Sequence, residues 1–236
     1  MLTLLNIDTA SAITAVSLEL KGALLTKEAA EGRYAAQQIL PLINEVLAES
    51  ATSLATLDGI GIATGPGSFT GIRIGLGIAQ GLAYPHNLPL IPVSSLAVQA
   101  ACACTQTNSA RRVLVCQAAR EREMYAAVYN RDEQSATAFA AVTLAGREQV
   151  CEPADFESEA LKELPQDALA VCSDCPELAT EICTRFGLQV PTLLPLSPRP
   201  IKHLAALARL GLEQGRVCQA DELRPNYVRE YMDYAV

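Results

Sequence analysis

Apolar positions in the first thirty residues fall in short runs broken by small polar turns, a pattern of strands. LTLLNID at 2–8 ends in an acid, and AITAVSLEL at 12–20 follows across Thr9-Ala10-Ser11. Strands joined by so short a turn pair antiparallel. Lys21-Gly22 makes the next turn, and ALLTKEAA at 23–30 supplies a third strand. Over 34–50 the period changes: Ile39, Leu42, Ile43, Val46 and Leu47 recur at helical steps, with Pro41 inside the pattern as a start or bend. A buried strand and glycine-rich turn are expected at 58–67, a helix at 70–83 and a strand at 88–95. A further helix at 96–103 is capped by Ser94 or Ser95.

The second half restarts this scheme. Strands are expected at 111–119 and 123–130, a turn-rich acidic stretch at 145–167, and a strand at 168–174. A helix at 176–187 is closed by Gly187, a proline-rich connector follows, and a strongly amphipathic helix spans 201–215. Two strand pairs, each opening a half-chain, suggest a duplicated β-β-β-α-β-α unit. The expected boundary lies at residue 104, giving units 1–104 and 105–236, with the last helix as a candidate to pack back on the first.

Composition narrows the functions. Half of the 236 residues are hydrophobic, Trp is absent and net charge is −8, so an acidic surface argues against strong nucleic-acid binding by the chain alone. No run approaches the ~18 apolar residues of a membrane helix, and the opening residues carry no basic segment before their apolar stretch, so a cytoplasmic protein is expected. Arg111, Arg112, Arg120 and Arg122 lie near one another as a possible local basic patch. Of eight cysteines only Cys172 and Cys175 form a C-x-x-C pair, half the ligand set of a structural zinc site, and His86 and His203 are distant in sequence.

Two segments could carry chemistry. Asp8 and Thr9 end the first strand, where an acid and a hydroxyl could meet metal or phosphate; in the plainer alternative they bond their own turn. GPGSFTGIRIGLGIAQG at 65–81 is a glycine-rich turn opening a helix, with Ser68 or Thr70 as cap. It lacks the G-K-[ST] of a P-loop and the spacing of the dinucleotide fingerprint. Glycine inside a helix costs roughly 1 kcal/mol against alanine, so Gly71, Gly75, Gly77 and Gly81 need a reason. Gly71 shares a face with Gly75, and Gly77 with Gly81: either the chain's own core or another subunit approaches closely there. No two-histidine helix motif and no G-x-S-x-G elbow is present.

NIDTA at 6–10, the R-x-x-x-Q-x-I-L-P-L-I stretch at 33–43, the block at 65–83, PVSSL at 92–96 and, more thinly, 120–125 and PNYVR together resemble the TsaB (YeaZ) family. That resemblance implies an actin/hexokinase-like α/β fold of two lobes facing across a cleft. It also implies a role as non-catalytic subunit in making threonylcarbamoyladenosine (t6A) in tRNA. The implied partners are the paralogous transferase TsaD, the ATPase TsaE, and a second copy when the chain is alone; tRNA is reached only through the complex. The implied joining surface is the first two helices, here Arg33, Tyr34, Gln37, Leu40, Ile43, Ser68, Phe69, Gly71, Ile72, Arg73, Gly75, Ile78 and Leu82. No metal and no cofactor of its own are implied, with ATP or ADP a possibility at the TsaD interface. The alternative is a stand-alone ATPase or phosphotransferase of the same fold using Asp8. Three positions depart from the family pattern: Tyr34 where His is frequent, and Ala118 and Arg122 where D-A-R-x-G-E-V-Y has Asp and Gly.

Overall fold

The computed structural model describes residues 2–29, 35–107, 110–132, 141–162, 164–165, 168–189, 193–198 and 200–228. The chain divides into two compact units, Met1–Val98 with Ser197–Asn226, and Gln99–Leu196 with Tyr227–Val236. The division falls at residue 98 rather than 104, and the chain from 197 to 226 belongs to the first unit.

In the first unit β1 (Thr3–Asp8), β2 (Ala15–Leu20) and β3 (Ala23–Glu28) form an antiparallel meander. After α1 (Ala35–Glu49), β4 (Gly59–Ala63) pairs parallel with β1; after α2 (Phe69–Ala83), β5 (Leu90–Val93) pairs parallel with β4. The sheet order is therefore β3-β2-β1-β4-β5. β1 and β4 are buried almost throughout because helices cover both faces of the sheet, which suits their unbroken apolar runs. Pro41 sits within α1 without ending it, on the exposed side.

Successive strand residues point to opposite faces, so Ile62 and Gly61 report which helix lies where. Ile62 reaches Gly75 of α2, and α1 packs beside α2 on that face. Gly61 faces the other way: a Cβ there would stand 2.5 Å from the Ala208 methyl of α6 (Ile201–Glu213) and collide with the Asn6 side chain. The face under α6 is unexpectedly polar. Asn6 donates to the Ser17 hydroxyl at 3.3 Å, and Glu19, only 4% exposed, takes a two-pronged ion pair from Arg209 of α6, Nε lying 3.1 Å from Oε2. This pair and the apolar stripe of Leu204, Ala205 and Ala208 fasten α6 to the first sheet.

The second unit repeats the wiring. β6 (Arg112–Ala118), β7 (Met124–Arg131) and β8 (Val142–Leu144) are antiparallel, β10 (Leu169–Ser173) joins β6 in parallel, and β11 (Leu193–Leu194) joins β10. The order β8-β7-β6-β10-β11 reproduces β3-β2-β1-β4-β5, so the expected duplication is present. The turn-rich stretch hides β9 (Gln149–Cys151), which pairs with β7, and the short α4 (Glu159–Lys162). Leu114, Val128, Phe156, Leu161, Val171 and Ile182 form the core, with α5 (Pro176–Arg185) packed on it. Phe156 meets Phe186 edge to face, centroids 6.4 Å apart. The unit boundary falls within α3 (Ser95–Gln106), whose first turn Ser94 caps by accepting from Leu96 N–H at 3.2 Å.

Removing one partner of a buried ion pair strands the other charge. Arg209→Ala should cost about 2–3 kcal/mol in urea unfolding, a value tempered by the partial exposure of Arg209. The double substitution Glu19→Leu, Arg209→Leu should recover most of that loss.

Candidate partner-docking site

Asp8 ends β1 almost wholly buried, and its carboxylate is occupied by its own turn. Oδ1 accepts from Ala10 N–H at 2.9 Å and Ser11 N–H at 3.0 Å, and Oδ2 from the Ser11 hydroxyl at 2.7 Å. Burial pushes the carboxyl upward from its ordinary value, against the downward pull of those donors. Thr9, also buried, donates its hydroxyl to the Gly71 carbonyl in the first turn of α2 at 2.7 Å. A nucleotide phosphate needs groups that face the ligand; Asp8 and Thr9 face the chain's own turn and helix, so they do not fit as a cofactor cradle.

The Thr9 contact explains half of the helical glycines. A Cβ on Gly71 would run into the Thr9 carbonyl, and one on Gly75 into the Thr9 hydroxyl oxygen. Thr9 thus lies in a groove that only glycine leaves open. The loop before α2 is fitted in the same way. Ser68 N–H donates to the Ala10 carbonyl at 3.0 Å, a Cβ on Gly67 would come 2.5 Å from that oxygen, and Gly65 takes a φ of +102° beside Ile72. The Gly65–Pro66 peptide is cis. Ser68 caps α2, its hydroxyl accepting from Gly71 N–H at 3.1 Å.

Gly77 and Gly81 behave oppositely: among the described residues nothing lies within 4 Å of a Cβ built on either. They belong to an outward, exposed stripe at four-residue steps, Phe69, Arg73, Gly77 and Gly81.

Phe69 is 67% exposed, and the Arg73 guanidinium lies 3.4 Å above its ring. Tyr84, 76% exposed, extends the stripe past the end of α2, and Leu40, 47% exposed, stands with Gln37 on the outer side of α1. Ile78 and Leu82 are half-buried along the stripe's flank, and Ser68 is exposed at its start.

Several expected joining residues are placed differently. Ile43, Gly71, Ile72 and Gly75 are turned into the unit's own core, because α1 and α2 must cover the sheet with one face each. Arg33 and Tyr34 lie outside the described residues. Tyr84 was not anticipated, although it lies one three-residue helical step beyond Gly81.

The second unit offers less. Its β6 occupies the place that β1 holds in the first unit, so Ala118 corresponds in topology to Asp8. The Ala118 N–H donates to the Asp174 carboxylate at 2.7 Å, and Arg122 forms a two-pronged ion pair with Glu181 of α5 at 3.0 and 3.1 Å. Arg112 is spent on Asn130 and the Ala160 carbonyl, so two of the four arginines are engaged within the unit. Cys172 is buried and its thiol is pushed up to about 12, first by burial and then by Asp174. Cys175 is raised as well, chiefly by burial, which leaves neither a ready thiolate. Among the described residues, no three His, Cys, Asp or Glu side chains are grouped as a metal site, and no helix is long and apolar enough to cross a membrane.

A duplicated actin/hexokinase-like α/β protein, with its first-unit helices presenting an outward stripe, is the class that the fold and site define. Residues 28–184 match the family profile described as "TsaD: tRNA N6-adenosine threonylcarbamoyltransferase", and the chain belongs to that family. Within it, the chain is similar to the tRNA threonylcarbamoyladenosine biosynthesis protein TsaB of Escherichia coli, 44% identical over 55% of this chain and 56% of that protein. It is also similar to TsaB of Haemophilus influenzae, 40% identical over 52% of each. These matches span about half the length of the curated relatives. The crystal structure described as YeaZ from Pseudomonas aeruginosa superposes with a TM-score of 0.76 at 29% identity, covering 96% of this chain and all of that one.

The two glycine pairs should respond oppositely to alanine. Gly71→Ala should destabilise the isolated chain by about 1–3 kcal/mol through its clash with Thr9. Gly77→Ala should stabilise it by about 0.5–1 kcal/mol by improving helix propensity in open space. Thermal unfolding of the two variants checks both.

Proposed function

We propose that this chain is a non-catalytic, cytoplasmic subunit in the formation of t6A in tRNA, docking a TsaD-type transferase through the outward stripe of α2 and the adjoining side of α1. The carrying observation is the open pair Gly77 and Gly81 between the exposed Phe69 and Tyr84. Two helical glycines with no close contact among the described residues favour a partner helix that approaches closely. In this reading a TsaE-type ATPase joins the assembly, a second copy of the chain covers the same stripe in the absence of the transferase, and tRNA is met through the complex. ATP or ADP, where the assembly uses it, is assigned to the shared interface rather than to Asp8 and Thr9.

The rival reading makes Asp8 the reacting acid of a stand-alone ATPase. The two readings part on substitution. Asp8→Ala strands three donors of the Ala10–Ser11 turn and should cost about 1–3 kcal/mol of stability, with no nucleotide turnover by the lone chain to lose. Turnover that disappears in Asp8→Ala would favour the enzyme. Gly77→Leu should leave the chain folded but weaken association with the transferase at least tenfold, measured by light-scattering mass of the mixture. Unchanged association would contradict the docking reading.

A further inference from the structure

The segment that follows α6 does more than end the first unit. Cys218 exchanges both backbone hydrogen bonds with Leu90 at 2.9 and 3.0 Å, so the segment adds an antiparallel bridge at β5, the edge of the sheet. Leu223 is 2% exposed. Between these anchor points, the Gln80 side chain of α2 donates to the Ala220 carbonyl at 2.8 Å and the Leu223 carbonyl at 3.4 Å. At the far end Asn226 N–H donates to the Thr64 carbonyl at 2.9 Å, and the Asn226 side chain to the Gly65 carbonyl at 3.3 Å. The Gly65 carbonyl also accepts from Ser95 N–H at 2.8 Å. One strap therefore holds α2 near its last turns and holds the loop that opens its first turn.

We propose that residues 217–226 are a positioning strap for the docking helix, with Gln80 and Asn226 as the residues that fix the direction in which α2 presents its stripe. This rests on the docking reading above. Gln80 and Asn226 are positioning residues: they act on the stripe through α2 and its loop. Ser68 and Phe69 lie immediately after the loop that Asn226 holds, so a loosened loop spreads the approach angle of the first exposed aromatic. A partner then binds only the fraction of chains in which the stripe is aligned, which lowers apparent affinity without removing any contact.

The test uses the full chain carrying Gln80→Leu and Asn226→Leu together, with Asn226→Ala alone as a milder variant should the pair fail to fold. Amide hydrogen exchange is followed over 64–71 and 217–226, and affinity for a TsaD-type transferase is titrated in parallel. Two lost hydrogen-bond sets should raise exchange in both segments by about tenfold or more and weaken binding to a similar degree. Gln80→Lys, which returns a donor of similar reach, should restore part of both. Unchanged exchange overturns the strap, and raised exchange with unchanged affinity overturns its positioning role. Phe69→Asp separates the two ideas: if it leaves affinity unchanged, the docking reading itself has failed. If it abolishes binding while the loosened variants bind normally, docking stands and the strap proposal falls.

Discussion

The Thr9 hydroxyl, bonded to the Gly71 carbonyl and lying in the groove between Gly71 and Gly75, is the contact on which the first unit's functional face depends. It joins the end of β1 to the start of α2 at a separation that any side chain on those glycines would prevent. Asp8 holds the turn from one side by collecting three donors, and Ala10 holds the glycine-rich loop from the other by accepting from Ser68. A strand end that could have been a phosphate site is instead a mounting point for a helix.

That mounting divides α2 into two faces with different obligations. The inward face is small where β1 approaches and apolar over the sheet, with Ile72, Leu76 and Ala79 buried. The outward face carries Phe69, Arg73, Gly77 and Gly81. Helical glycine is unfavourable, and among the described residues close contacts explain the inward pair but not the outward one. The proposed docking of a partner helix gives the outward pair a reason; without it they would be a local weakness.

Much of the fold was legible because period and turn chemistry agreed. The three opening strands, the helix period at Ile39, Leu42, Ile43 and Val46, and the amphipathic last helix each carry a clear signal, and each appears. β9 and α4 were missed because elements of three and four residues are shorter than any period can reveal. The site was legible only in part. Sequence spacing identified two glycine pairs but could not say which faced the core, since that depends on where Thr9 reaches. The strap was hidden for a similar reason: Gln80 and Asn226 are ordinary polar residues until the fold brings them to carbonyls far away in sequence.

The most direct measurement is a methyl-resolved NMR titration of this chain with a TsaD-type transferase. The account predicts that the methyl groups of Leu40, Ile78 and Leu82 shift on binding, while those of Leu114, Val171 and Ile182 in the second unit's core stay in place. Shifts centred on Ile182 of α5, with the α2 methyl groups unmoved, would contradict it.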